Sequence, residues 1–203
     1  MCQVSFFHSK YHDVGGAQNL RKAIFLDRDG TLIEDRGYVY RIEDLQFLPG
    51  VIEGLKRLRE HFLFFIITDQ SGIERGFYTM EDFHRFHGFF LDQLRCQGIE
   101  IEQTYFCPHV DGCDCKKPST KYIDEATRLY RIELTKSWTI GDHPSDVVMG
   151  KNAGCNTVYL LTGHGMKHLR ELEDREVKTT IIADNFLSAV EFILRAPTTQ
   201  TAI

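Results

Sequence analysis

This chain has no long apolar run. Over its 203 residues the longest is Phe62 to Ile67, far short of the roughly 20 apolar residues that span a bilayer, so no transmembrane helix is expected. Excess positive charge is also missing. The 24 Lys and Arg face 29 Asp and Glu, a formal net charge of −5, which leaves no electrostatic case for nucleic acid or an anionic membrane as partner. Internal repeats, low-complexity tracts and Pro- or Ser-rich linkers are absent, and the length suits one well-buried domain. An N-terminal arm over 1–22 and a single domain over 23–203 are therefore expected. No heptad seam marks a coiled coil, and a monomer is expected. The opening MCQVSFFHSKYHDVGG lacks the basic start and long apolar centre of a secretory signal, which makes a cytoplasmic location the default.

What is present begins with a soluble composition, 26% charged and 42% apolar. Six cysteines are unevenly spread: Cys107, Cys113 and Cys115 crowd together, whereas Cys2, Cys96 and Cys155 are scattered. In a short secreted chain such crowding would mean disulfides, but this chain is neither short nor signal-bearing, and a metal site is the better reading. The run CPHVDGCDC adds His109, giving a Cys₃His set suited to tetrahedral Zn²⁺ with no open position. A closed site of this kind pins a loop rather than performing chemistry. Free buried cysteines beside an unrelated histidine are the plainer alternative.

Strands and helices alternate along the chain. AIFLDRDGT, Ala23 to Thr31, reads as a buried strand that delivers two carboxylates onto a Gly-containing turn, although Asp and Gly are also ordinary turn residues. A structured loop or hairpin follows over 32–48, then a helix with Val51, Leu55 and Leu58 on one face, and a strand over 62–67 ending in TDQSG. Thr79 is the expected N-cap of a longer helix whose buried stripe is Phe83, Phe86, Phe90, Leu91 and Leu94, with Gly98 just beyond its end. His84 and His87 are assigned to its surface or edge. A strand over 101–106 runs into the cysteine cluster, and Pro118 and Ser119 start a helix carrying Ile123, Ala126 and Leu129. The strand over 137–140, with Trp138 in the core, ends in GDHPSD; a short helix, a strand over 157–161, a polar segment without pattern, a strand over 180–183 and a helix from Asn185 complete the chain. His164 and His168, in the unpatterned segment, are read as solvated. The fold class is α/β: a three-layer, Rossmann-like parallel sheet with helices on both faces, a minimal cap and a zinc-stabilised loop.

Ligands of open parallel sheets bind outside the carboxyl ends of the strands. There the turns place Asp27 and Asp29, then Thr68 and Ser71, then Lys116 and Lys117, then Asp142 and Asp146. If the middle strands are neighbours, these groups converge. Carboxylates without thiolate or imidazole suit a hard divalent cation, Mg²⁺, while a hydroxyl, a lysine and free N–H groups suit an anion. Together they argue for phosphoryl chemistry with a carboxylate as possible nucleophile.

DRDGT, Thr68 in TDQSG, Lys117 before Pro118, and GDHPSD resemble the four signature segments of the haloacid dehalogenase-like phosphatases. The resemblance implies that Asp27 attacks phosphorus, Asp29 serves as acid and base, and Thr68 and Lys117 stabilise the transferring group. It further implies Mg²⁺ on Asp27, Asp29 and Asp142, with Asp146 in support. A zinc loop between the third strand and the phosphate lysine is similar to two branches, the D-glycero-D-manno-heptose 1,7-bisphosphate 7-phosphatases and the histidinol-phosphate phosphatases. The segments at Asp35 to Leu55 and Thr68 to Thr79 look more like the heptose branch, which implies substrate contacts from Asp35, Arg36, Gly37, Tyr38, Thr68, Asp69, Gln70, Ser71, Lys116, Lys117 and His143. That branch usually has Asn at the position of Asp69, Arg at Lys116, and Lys or Arg at His143. Arg and Lys differ in bidentate geometry, so the substrate grip is altered. A small phosphorylated substrate, a sugar bisphosphate, is the expected partner. Histidinol phosphate or another small sugar or alcohol phosphate is the alternative, and a zinc-stabilised binding module without catalysis is the reading from another class; such a module would be expected to lack Asp27 or Asp29.

Overall fold

The computed structural model describes residues 20–174 and 178–196. Cys2 and the expected N-terminal arm as far as residue 19 lie outside the described residues. In chain order the elements are β1 (Ala23–Leu26), α1 (Val51–Leu58), β2 (Leu63–Asp69), α2 (Met80–Cys96), β3 (Gln103–Cys107), α3 (Lys121–Tyr130), β4 (Trp138–Gly141), α4 (Pro144–Ala153), β5 (Asn156–Leu160), α5 (Gly165–Asp174), β6 (Ile181–Ala183) and α6 (Phe186–Arg195). The strands form one sheet in the order β3-β2-β1-β4-β5-β6, and every pairing is parallel.

Side chains alternate between the two faces of a strand, so a strand covered on both sides must be apolar at every position. β1 is buried throughout. Its Ile24 and Leu26 join Phe64, Ile66, Trp138, Ile140, Val158 and Leu160 beneath α1, α2 and α6. On the other face Ala23 and Phe25 join Phe65, Ile67 and Tyr105 beneath α3 and α4, through Ile123, Ala126 and Met149. The three layers follow from that alternation.

The site is set by the strand order. The chain moves outward from β1 to β2 and β3, then returns across α3 to place β4 on the other side of β1. The reversal opens a crevice at the carboxyl ends of β1 and β4. Between β1 and α1 the chain forms loops, a short 3₁₀ turn at Ile42–Asp44 and a bridge from Ile33 to Phe47, so the cap over this crevice is small.

Several expectations need correction. β2 runs on through Thr68 and Asp69, which pair with Phe106 and Cys107 in β3. The segment after Gly163 contains α5, whose inward face is little more than Leu169 and Leu172 against Tyr159. Two leucines one turn apart are too sparse a stripe to stand out in a sequence. Leu129 is exposed, because the buried line of α3 runs through Ile123 and Ala126 to Tyr130 and Leu129 lies off it. His87 is buried rather than at the surface: its ring stacks on Phe83 and its Nε2 lies 2.9 Å from Thr104 Oγ1. Burial, with Arg28 and His84 adding to it, pushes the His87 pKa down to about 3, so this imidazole is a neutral core group. His168 is only a quarter exposed and faces Glu171 and His143, while His164 is half exposed.

α4 approaches the sheet closely because position 150 is glycine. A Cβ there would stand 2.1 Å from Thr139 Oγ1 and 2.8 Å from Thr157 Cγ2, both on stiff β-branched side chains. Gly150→Ala is therefore expected to lift α4 and destabilise the fold by about 1–3 kcal/mol, the usual cost of overpacking, read as a lower urea midpoint.

Candidate active site

Asp27 continues the line of β1, and its N–H donates to Ile140 O of β4 at 2.9 Å, which fixes the backbone at the crevice. Thr31 Oγ1 donates to Asp27 Oδ2 at 3.4 Å. Asp142 and Asp146 come from the turn after β4 and the first turn of α4. Asp146 caps that helix, since its Oδ2 accepts from the His143 N–H at 3.1 Å. One carboxylate oxygen from each of Asp27, Asp142 and Asp146 lies within 4.8 Å of the others, and all three residues are buried.

The cation among them is Lys117, delivered by the loop between β3 and α3. Its Nζ lies 2.8 Å from Asp27 Oδ1 and 2.7 Å from Asp146 Oδ1. Burial works against this ammonium, but Asp146, Asp27 and Asp69 outweigh it and raise its pKa well above the ordinary lysine value. Burial, followed by Asp27 and Asp146, raises the pKa of Asp142; burial also raises that of Asp146, against the pull of Lys117. One ammonium does not balance three carboxylates at this range, and the group is short of positive charge.

The backbone closes tightly around Asp142. Gly30, at φ +79°, and Gly163, at φ +50°, would each bring a Cβ to 2.2 Å from Asp142 Oδ2, so only glycine tolerates both the backbone conformation and the approach. The His164 N–H donates to the same Oδ2 at 2.7 Å.

Asp29, two residues from Asp27, belongs to a different network. Arg28, fully buried, donates Nε and Nη2 to its carboxylate at 2.8–3.1 Å. The guanidinium rests over Phe83 and Phe86, with 5.6 and 5.0 Å to the ring centroids. The Gln70 amide lies between Asp29 and Thr68. Tyr78 Oη, at 2.6 Å, and Arg28 Nη2, at 3.1 Å, both donate to its Oε1. Its Nε2 is thereby turned to donate to Asp29 Oδ2 at 2.8 Å and Thr68 Oγ1 at 2.7 Å. Because Thr68 Oγ1 accepts there, its own proton is free to donate elsewhere. Burial raises the Asp29 pKa, with Arg28 opposing it, and thus favours a protonated acid.

Other residues named from the sequence are placed more variously. Asp69 accepts from the Lys117 N–H at 3.3 Å, and burial raises its pKa against Lys117. Asp35 closes a turn by accepting from the Gly37 N–H at 2.7 Å and lies 3.5 Å from His164 Nδ1. Tyr38 is 44% exposed and packs on Phe77 and Tyr78. Ser71 follows Gln70 in the same turn, and its carbonyl accepts from the Arg75 N–H. Arg36 reaches Glu34 and Gln46, away from the aspartates, and Lys116 Nζ is directed to Val110 O and Asp111 in the cysteine loop. His143 caps α4, with Nδ1 2.9 Å from Ser145 Oγ.

Cys107, His109, Cys113 and Cys115 come together with one ligand atom each within 4.8 Å of the rest. Cys107 Sγ lies 3.4 Å from Cys113 Sγ and 3.0 Å from Cys115 Sγ, and His109 Nδ1 lies 3.4 Å from Cys115 Sγ. Zn–S bonds of about 2.3 Å in a tetrahedron need sulfur pairs about 3.8 Å apart, so small side-chain rotations accommodate the ion.

Sequence reading passed over Arg28, Thr31 and Tyr78. An arginine between two aspartates in a buried turn and a threonine closing DRDGT were signals. Tyr78 carried none, since only the fold brings it to Gln70.

Parallel strands that deliver carboxylates, a lysine and a hydroxyl to one switch point define a haloacid dehalogenase-like phosphatase, and the chain belongs to that family. The HAD-hyrolase-like family model matches residues 114–189. The chain is 40% identical to the D-glycero-alpha-D-manno-heptose-1,7-bisphosphate 7-phosphatase of Campylobacter jejuni over 141 residues, 69% of this chain and 82% of the relative. It is 39% identical to the D-glycero-beta-D-manno-heptose-1,7-bisphosphate 7-phosphatase of Helicobacter pylori strain J99, over 72% of this chain and 86% of that one. Among solved structures it is similar to the D,D-heptose 1,7-bisphosphate phosphatase of B. bronchiseptica complexed with magnesium and phosphate, with TM-score 0.77, 28% identity, and coverage of 85% of this chain and 98% of that one.

Removing the Tyr78 hydroxyl frees the Gln70 amide to turn. Tyr78→Phe is expected to slow phosphate release about fivefold, the weight of one net hydrogen bond of ~1 kcal/mol, with the loss in kcat rather than KM. Steady-state kinetics check it.

Proposed function

We propose that this chain is a monomeric, cytoplasmic, Mg²⁺-dependent phosphatase that removes the 7-phosphate of D-glycero-D-manno-heptose 1,7-bisphosphate, with 23–203 acting as one catalytic domain. The observation that carries the chemistry is the charge count at the carboxyl end of the sheet: Asp27, Asp142 and Asp146 within 4.8 Å of one another and, among the described residues, Lys117 as the cation paired with them. An all-oxygen donor set fits Mg²⁺, and Gly30 and Gly163 let the backbone approach Asp142 closely. Asp27, Asp142 and the backbone carbonyl of Asp29 would hold the ion, with Asp146 in support. When bound, Mg²⁺ supplies the charge neutralisation that lets a phosphate approach three carboxylates.

In the first half-reaction a carboxylate oxygen of Asp27 attacks phosphorus, the ester P–O bond breaks, and Asp29 gives its proton to the departing alkoxide. The product is an aspartyl-phosphate on Asp27. In the second, Asp29 as carboxylate takes a proton from water while that water's oxygen attacks phosphorus, releasing phosphate and restoring both side chains. Lys117 and the Thr68 hydroxyl stabilise charge on the phosphoryl oxygens. Asp35, Gly37 and Tyr38, with Asp69 and Ser71, would contact the sugar, and Lys116 and His143 would lie at its edge.

The heptose assignment rests on relatives whose names include both the alpha and the beta bisphosphate. Phosphate release from both anomers of heptose 1,7-bisphosphate and from histidinol phosphate tests it. The highest kcat/KM should fall on a heptose bisphosphate, and a preference for histidinol phosphate would overturn the substrate. Asp27→Asn should abolish turnover of every substrate while its circular dichroism is unchanged; residual turnover would remove Asp27 as nucleophile.

The Cys₃His cluster is proposed to hold a structural Zn²⁺. Elemental analysis should give about one Zn per chain. Cys113→Ser combined with Cys115→Ser should lose it and lower Tm.

A further inference from the structure

A third group of side chains of metal-ligating type stands outside both of these sites. The imidazoles of His143 and His168 and the carboxylate of Glu171 each bring one ligand atom within 4.8 Å of the other two. The three come from two places in the fold. His143 lies on the turn after β4, while His168 and Glu171 share one face of α5 at a spacing of three residues. We propose that His143, His168 and Glu171 form a transition-metal site, of the kind that takes Zn²⁺ or Ni²⁺, at the rim of the catalytic crevice.

The donor set is the first argument. Two imidazoles and a carboxylate suit Zn²⁺, Ni²⁺ or Cu²⁺, whereas the neighbouring all-carboxylate group suits Mg²⁺, so the two sites select different ions. Geometry is the second. Ligand atoms 2.0–2.2 Å from a tetrahedral ion sit about 3.3–3.6 Å apart. His168 Nδ1 and Glu171 Oε2 are 3.0 Å apart, and the ring centroids of His143 and His168 are 4.8 Å apart, so side-chain rotation alone completes the site. Orientation is the third. His143 Nδ1 accepts the Ser145 N–H at 3.2 Å and lies 2.9 Å from Ser145 Oγ, contacts that hold the ring at the start of α4 beside His168. All three residues are half-buried, and three protein ligands leave a position open to a small molecule in the crevice. His164, with its ring 6.0 Å from that of His168, stands at the same mouth.

This inference does not depend on the substrate. Its test uses the folded enzyme with Mg²⁺ in excess and the cysteine loop loaded with Zn²⁺, titrated with Ni²⁺ in a calorimeter. Wild type is expected to take up one Ni²⁺ per chain. His168→Ala and Glu171→Gln should each weaken that uptake about tenfold or more, the scale on which even outer partners of a metal site act. Both substitutions lie on a half-exposed helix face, and their Mg²⁺-dependent activity without Ni²⁺ serves as the folding control. Absence of Ni²⁺ uptake in wild type, or equal uptake in wild type and the double variant, overturns the proposal.

Discussion

The structure turns on one buried ammonium. Lys117 Nζ holds Asp27, 90 residues away in sequence, and Asp146, 29 residues away, both within 2.8 Å. Without it the crevice would contain carboxylates from two adjacent strand ends with nothing of opposite sign among them, and a buried charge left without its partner costs several kcal/mol. The ion pair therefore closes only when β1, α4 and the loop before α3 are all in place, so assembly of the fold and of the charged centre is a single event. Lys117 is thereby a structural tie between the turn after β1 and α4.

What places Lys117 is the cysteine loop. Gln70 N–H donates to Cys107 O, Glu74 N–H to Pro108 O, and the Val110 N–H returns a bond to the Glu74 carboxylate. These bonds join the loop of Cys107, His109, Cys113 and Cys115 to the turn that carries Gln70. Lys116, with its ammonium on Val110 O, fastens the loop from its other end. The cysteine loop reaches both Lys117 and the Gln70 amide that orients Asp29 and Thr68. Its rigidity is felt at both ends of the crevice.

Much of this was readable before any coordinate. An apolar strand ending in DRDGT, a both-faces-buried strand ending in TDQSG, and GDHPSD after a third strand locate the carboxyl ends of β1, β2 and β4, because parallel strands must be apolar throughout and their polar turns fall on one side. The Cys₃His spacing is local and needs no fold to be seen. Less legible was whatever depends on how a side chain packs once the fold has formed. Tyr78 matters only because β2 and the start of α2 bring it to Gln70. His87 is polar by type and core by position, and its place between Phe83 and Phe90 was the clue to its burial. α5 hides because two inward leucines and a polar remainder carry too little periodicity.

Asp27 and Asp29 stand two residues apart in one turn, and their separation of labour follows from what each one faces. Asp27 meets Lys117 across the crevice at 2.8 Å. Asp29 is turned onto Arg28 and Gln70, where the guanidinium favours the carboxylate, yet burial outweighs it and the pKa rises. An acid here therefore requires that the guanidinium have other company, and it has: Arg28 donates to Val39 O and Gln70 Oε1 and lies over two phenylalanine rings. Its charge is shared among several acceptors instead of being spent on one carboxylate. Two carboxyl groups of one turn are thus set against different partners, Asp27 against Lys117 and Asp29 against Arg28 and Gln70.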